Sequence, residues 1–173
     1  SPVGRLSQEI AEELSMEQPE VIAVAGHDTQ SAMAAVPTEA EDFLFLSCGT
    51  WSLLGTELSE PIINEQSLAA DVTNEGGYGN KTSFLKNIIG LWMIQESRRQ
   101  WLREGKEYSF GELEQLARQA KPFQSFINPD APEFVPSGNM PERIREYCRR
   151  TGQHVPESPG EIVRCIDESL AMR

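Results

Sequence analysis

Histidine is nearly absent from this chain, with two in 173 residues, and cysteine occurs only three times. Neither residue type falls into the spacing of a metal centre, because no Cys-x-x-Cys and no close His pair is present. An odd and small cysteine count also argues against a disulfide-built secreted domain and suits a reducing compartment, so the expected location is the cytoplasm. Basic residues are scarce too. Fifteen Lys and Arg against 27 Asp and Glu leave a formal net charge of −12. That deficit argues against a nucleic-acid binder, whose footprint is basic, and disfavours adhesion to an anionic membrane. Long apolar runs are missing, and nothing approaches the ~20 residues of a membrane span. The opening Ser1-Pro2-Val3-Gly4-Arg5 leads into a charged segment, unlike a secretory leader. No internal repeat or low-complexity tract occurs.

What is present is a chain that is 39% hydrophobic, enough for a buried core, and of a length that suits one large domain or parts of two. The stretch Val21-Ile22-Ala23-Val24-Ala25 is apolar, rich in β-branched residues and unbroken by polar alternation. It predicts a strand buried on both faces and ended by Gly26. A helix is expected before it over residues 6–14, and another after it that stops short of Pro37. Residues 38–42 read as an acidic loop. Residues 43–48 and 51–57 read as strands of a hairpin turned at Gly49-Thr50. Residues 61–68 read as a loop, 69–75 as a third strand, and the glycine-rich 76–79 as irregular backbone. The apolar stripe over residues 82–104 predicts the longest helix, stopped by Gly105. Capping patterns at Ser109…Glu112, Asn139 with Pro141, and Ser158…Glu161 start three further helices, the first two ending near Ala120 and Thr151. A proline-rich loop separates the first of these from the second. The last helix reaches the C-terminus with no stop signal, from which we expect a chain cut out of a longer one.

His27, Asp28 and Thr29 follow the carboxyl end of the expected strand, where ligands bind in open α/β sheets. Asp28 can cap the next helix, or its carboxylate can accept a proton from a substrate hydroxyl. His27 with Asp28 also suggests two limbs of a hydrolase triad, but no G-x-S-x-G elbow accompanies them. At the hairpin turn, Gly49 lets the backbone approach an anion, and the Thr50 hydroxyl and amide can bind its oxygens; the plainer reading is an ordinary turn. Cys48 beside it reads as packing, since nothing nearby would activate it. Asn87 and Gln95 lie eight residues apart, about 2.2 helical turns, and so fall near one face of the expected long helix. Amides beside an apolar stripe want partners. Cys148 and Cys165 sit on the two final helices. Spacing alone does not show whether they bridge, and free thiols suit the cytoplasm.

Gly26-His27-Asp28-Thr29 after a hydrophobic strand, then Gly49-Thr50-Trp51-Ser52, resembles the sugar kinases of the FGGY family. Asn74-Glu75-Gly76-Gly77, Leu85-Lys86-Asn87-Ile88-Ile89-Gly90-Leu91-Trp92 and Ser158-Pro159-Gly160-Glu161-Ile162-Val163-Arg164-Cys165-Ile166 narrow the resemblance to members acting on L-rhamnulose. The resemblance covers nearly the whole chain, with its motifs in the family's order. It implies an α/β fold of two ribonuclease H-like domains, related to actin, closing on a cleft. Residues 1–40 would be the end of the sugar-binding domain and residues 41–173 the opening of the ATP-binding domain. The implied reaction transfers the γ-phosphoryl of Mg2+-bound ATP to the 1-hydroxyl of L-rhamnulose. In it Asp28 is the general base, His27, Asp28, Thr29 and Asn87 hold the sugar, and Gly49, Thr50 and Gln95 contact ATP. No protein metal site is implied, because magnesium arrives on the phosphates. The family's Asp-x-Gly-Thr phosphate hairpin and its late Gly-rich adenosine loop are absent from this sequence, so the fragment alone is expected to be inactive. Two alternatives stand beside this one. One is an FGGY kinase for xylulose, fuculose or glycerol. The other is a non-catalytic nucleotide- or sugar-binding module of the actin-like superfamily.

Overall fold

The computed structural model describes residues 2–24, 26–40 and 42–173. Ala25, at the end of the expected first strand, and Glu41, in the expected acidic loop, lie outside the described residues, as does Ser1. The elements in order are β1 (Pro2–Arg5), α1 (Gln8–Glu13), β2 (Glu20–Ile22), α2 (Asp28–Ala34), β3 (Phe45–Cys48), β4 (Trp51–Leu58), α3 (Glu65–Ala69), β5 (Val72–Gly76), β6 (Thr82–Ile89), α4 (Trp92–Arg103), α5 (Phe110–Gln119), α6 (Met140–Arg150) and α7 (Pro159–Ala171). Two short 3₁₀ turns, Tyr78–Asn80 and Pro132–Phe134, complete the list. β1 and β2 form an antiparallel pair, and the remaining strands form a sheet of order β3-β4-β6-β5. The chain divides into two compact units, Ser1–Phe45 with Gly55–Leu85, and Leu46–Leu54 with Lys86–Arg173.

In the first unit the strand around Val21 differs from its expectation. β2 covers only Glu20–Ile22, and Val21 and Ile22 are 40% and 58% exposed. The unbroken apolar run predicted burial on both faces. A two-stranded ribbon has no layer of its own to cover either face. The helix before it forms, with Ala11 buried, and α2 stops at Ala34, ahead of Pro37. The segment expected as a loop after Pro61 contains α3. The Asn64 side chain accepts from the Ser67 amide at 2.8 Å, and the Ser67 hydroxyl accepts from the Asn64 amide at 3.2 Å. This is a capping box with Ser in place of the usual Glu, which is why the pattern was not legible. β5 then starts three residues later and ends one later than the expected 69–75, and the glycine-rich turn after it holds Gly79 and Asn80 at φ of 67° and 62°.

The largest departure concerns residues 82–104. They are not one helix but β6 followed by α4. Phe84, Leu85, Ile88 and Ile89 mimic a helical stripe. In β6, however, Ser83 and Leu85 are buried and alternate with half-buried neighbours, the period-2 pattern of a strand. Gly90 and Leu91 break the run, and a helix-interior glycine costs ~1 kcal/mol relative to alanine.

The second unit holds the main core. Ile89, Met93, Trp101, Leu113, Phe134, Met140, Ile144, Cys148, Ile162 and Ile166 are buried together. Helices α4 to α7 supply most of it, with α5 packed on α7 and α4 on α6. The three anticipated caps form: Ser109 accepts from the Glu112 amide, Asn139 from Glu142 and Ser158 from Glu161. The three cysteines are free.

Glu96 on α4 is a carboxylate inside this core, with a side chain 1% exposed. It accepts from Arg99 at 3.0 Å, from Arg103 at 3.4 Å and from the Gly138 amide at 3.3 Å. Burial is the largest single influence and pushes its pKa up, yet the hydrogen bonds and charges of Arg99, Gly138 and Arg103 together bring it below the usual 4.5. A depressed folded-state pKa contributes stability above the unfolded-state value, and that contribution is lost as pH falls through the folded-state pKa. We therefore expect Glu96→Gln to be less stable than the parent at pH 7. It should also lose less stability than the parent as pH falls from about 5 to 3. Urea melts across that range check both; parallel losses in parent and variant would show that Glu96 does not titrate this way.

Candidate active site

Two clusters gather the residues singled out from the sequence, one in each unit, with Asn87 in neither. In the first unit, Gly26 turns the chain with φ of 78°, and His27 occupies the N-cap position of α2 in extended backbone. Asp28 is therefore the first helical residue and not the cap, and no side-chain cap bond forms. One of its oxygens, Oδ1, accepts from the Thr29 amide at 2.8 Å and lies 3.2 Å from His27 Nδ1. The Asp28 side chain is 95% exposed and that of His27 62%. Thr29 is buried, and its hydroxyl lies 3.4 Å from the same Asp28 oxygen. The arrangement fixes one carboxylate oxygen and leaves the other open.

No sequence signal marks the group beneath this turn. Gln30 is 2% exposed; its Oε1 accepts from the fully buried Ser83 hydroxyl at 2.5 Å, and its Nε2 donates to Glu75 at 3.3 Å. A single glutamine in a short polar segment carries no periodicity, so only the strand assignment of Ser83 would have exposed the pairing.

In the second unit, Gly49 and Thr50 form the hairpin turn between β3 and β4. The turn is held against the start of α4 by backbone bonds. The Leu91 amide donates to the Gly49 carbonyl at 2.9 Å, and the Gly90 and Trp92 amides both donate to the Thr50 carbonyl at 3.2 Å. The Gly49 amide is already given to the Trp51 carbonyl at 2.9 Å. A Cβ on Gly90 would stand 2.7 Å from the Gly49 carbonyl oxygen and 2.8 Å from the Ser52 amide, so only glycine fits.

Gln95, near the beginning of α4, meets Thr50, with Nε2 and Oε1 lying 3.3 and 3.5 Å from the Thr50 hydroxyl. Beside them Thr50, Trp51, Ile89, Trp92 and Val135 line a cavity of about 270 Å³. That is below the ~300–1,000 Å³ of small-molecule sites.

Asn87 does not share a helix with Gln95. It lies on β6 and is exposed, because the apolar stripe that suggested the helix belongs to a strand. Among the described residues no group of three or more His, Cys, Asp and Glu could hold a metal ion. No helix among them is long and apolar enough to cross a membrane.

Residues 44–173 match the model of the C-terminal domain of the FGGY family of carbohydrate kinases. The chain is 47% identical over 171 residues to a rhamnulokinase of Bacteroides thetaiotaomicron, covering 99% of this chain and 34% of that protein. It is 46% identical over 169 residues to a rhamnulokinase of Halalkalibacterium halodurans, covering 98% and 35%. It is 41% identical over 170 residues to one of Bacillus subtilis, covering 98% and 34%. The chain thus spans about a third of the length of the curated relatives it matches. With three quarters of its residues inside that family domain, and with the mixed α/β organisation that the family's ribonuclease H-like, actin-related fold requires, the chain belongs to the FGGY family of carbohydrate kinases.

Proposed function

We propose that this chain is part of a cytoplasmic kinase of rhamnose catabolism that transfers the γ-phosphoryl group of ATP to the 1-hydroxyl of L-rhamnulose. The observation that carries this reading is the identity of 41 to 47% to rhamnulokinases along 98 to 99% of the chain. Residues 1–40 would close the sugar-binding domain and residues 41–173 open the ATP-binding domain, in keeping with a family match that begins at residue 44.

Phosphoryl transfer to an alcohol needs a proton acceptor, positioning and charge neutralisation. Asp28 is the general base: its exposed, unshared oxygen takes the proton of the 1-hydroxyl, while Oδ1 stays tied to the Thr29 amide. His27, Thr29 and Asn87 orient the sugar through its other hydroxyls. The Gly49–Thr50 turn and Gln95 orient the phosphates of ATP. The polar Thr50 and Gln95 side chains suit that task, since among the described residues each is matched by the other's long contact alone. Bound ATP would bring Mg2+, which would supply charge neutralisation at the phosphates. Domain closure excludes water, so that ATP is not lost to hydrolysis.

The test is kcat/KM of the intact enzyme with ATP and each of L-rhamnulose, L-fuculose, xylulose and glycerol. L-Rhamnulose should lead. A higher value for any of the other three would reassign the substrate, and no turnover with any of them would favour a binding module.

A further inference from the structure

We propose that Gln30 is a positioning residue. Through its paired hydrogen bonds to Ser83 and Glu75 it fixes the helix that presents Asp28. The proposal rests on the reading of Asp28 as the proton acceptor.

Little apolar packing holds α2. It has seven residues, and helices shorter than ~12 are marginal on their own, so its pose comes from tertiary contacts. Its buried residues are Thr29, Gln30 and Met33. Only Met33 among them is apolar; the Ser83 hydroxyl lies 3.9 Å from its sulfur, a weak acceptor that directs the helix little. Gln30 supplies the stronger tie. Both ends of its amide are engaged, Oε1 by the Ser83 hydroxyl at 2.5 Å and Nε2 by Glu75 at 3.3 Å. These bonds reach 53 and 45 residues along the chain, onto β6 and β5.

A slip or roll of α2 by a fraction of a turn would break both bonds and strand a buried amide without partners. Helix geometry then aims the carboxylate. At about 100° per residue, Asp28 lies roughly 160–200° from Gln30, so burying the Gln30 face turns Asp28 outward. The observed exposures match, with Gln30 at 2% and the Asp28 side chain at 95%.

The same geometry gives the Asn74-Glu75-Gly76-Gly77 segment a role. Glu75 is the second partner of Gln30. Gly77 makes room for the first, because a Cβ there would stand 3.1 Å from the Ser83 hydroxyl and 3.0 Å from the Lys81 carbonyl oxygen. α2 also packs against the Tyr78–Asn80 turn that follows.

The test measures kcat and the L-rhamnulose Kd of the intact enzyme for Gln30→Met, Ser83→Ala, their double variant, Gln30→Glu, and the exchange pair Gln30→Glu with Glu75→Gln. Both Gln30→Met and Ser83→Ala should lower kcat at least tenfold while Kd stays within about threefold. The double variant should fall little further, because both changes cut one link. Gln30→Glu sets two carboxylates against each other and should also lower kcat; the exchange pair restores a donor and an acceptor and should recover most of it. Ser83→Ala deletes one atom and adds no volume, so it reports even if Gln30→Met folds poorly. Unchanged kcat in Ser83→Ala, or independent and additive losses in the double variant, would overturn the proposal. Asp28→Asn run alongside separates the two ideas. If it keeps full turnover, the base assignment fails. If it is inactive while Ser83→Ala and Gln30→Met are normal, only the positioning role fails.

Discussion

Asp28→Asn in the intact kinase is expected to lower kcat by about 10²–10⁴, the range ascribed to a positioned general base, and to leave L-rhamnulose affinity within a few-fold. The substitution is close to isosteric. An amide oxygen can still accept from the Thr29 amide, as Asp28 does at 2.8 Å, so the start of α2 should survive. What it cannot do is take a proton from an alcohol. The affected interaction exists in the transition state and scarcely in the ground state, which predicts a loss in kcat with binding preserved. Pre-steady-state phosphoryl transfer and sugar titration separate the two. A kcat within threefold of the parent would remove Asp28 from the chemistry. A parallel collapse of sugar binding would make it a binding group instead.

Gly90→Ala should produce the second large effect, this time on ATP. The added Cβ meets the Gly49 carbonyl oxygen at 2.7 Å and the Ser52 amide nitrogen at 2.8 Å. Both are backbone, so neither can swing aside as a side chain would. The turn must move, and overpacking of this kind costs ~1–3 kcal/mol. It would also loosen the Gly90 and Trp92 bonds to the Thr50 carbonyl, which hold Thr50 over Gln95. We expect a Tm several degrees lower and an ATP KM raised about tenfold, with the sugar KM little changed. Such a KM shift corresponds to roughly 1.4 kcal/mol. An unchanged ATP KM in a folded Gly90→Ala enzyme would detach the Gly49–Thr50 turn from the nucleotide.

The two clusters differ in how far the sequence disclosed them. Local signals carried well where the cause of structure is local. The caps at Ser109, Asn139 and Ser158 are side chains bonding amides three residues on, and all three helices start where those residues predict. The hairpin around Thr50 likewise follows from two apolar runs and a tight turn. Signals failed where the cause is tertiary. Residues 82–89 carry an apolar spacing that serves helix and strand alike, and only their place between β4 and β5 decides for β6. That shared spacing places Asn87 and Gln95 on a common helix face in sequence and conceals Ser83 as the partner of Gln30. The strand near Val21 failed for the opposite reason: its composition suits a buried position that this ribbon does not provide.

That ribbon has a consequence for handling the protein. β1 and β2 present Val3, Val21 and Ile22 to solvent, at 66%, 40% and 58% exposure, on a two-stranded pair with two outer edges. Outer strand edges are templates on which a foreign strand can add by backbone pairing, and greasy flanks reward the addition. In concentrated solution this ribbon is a place where molecules would begin to clump.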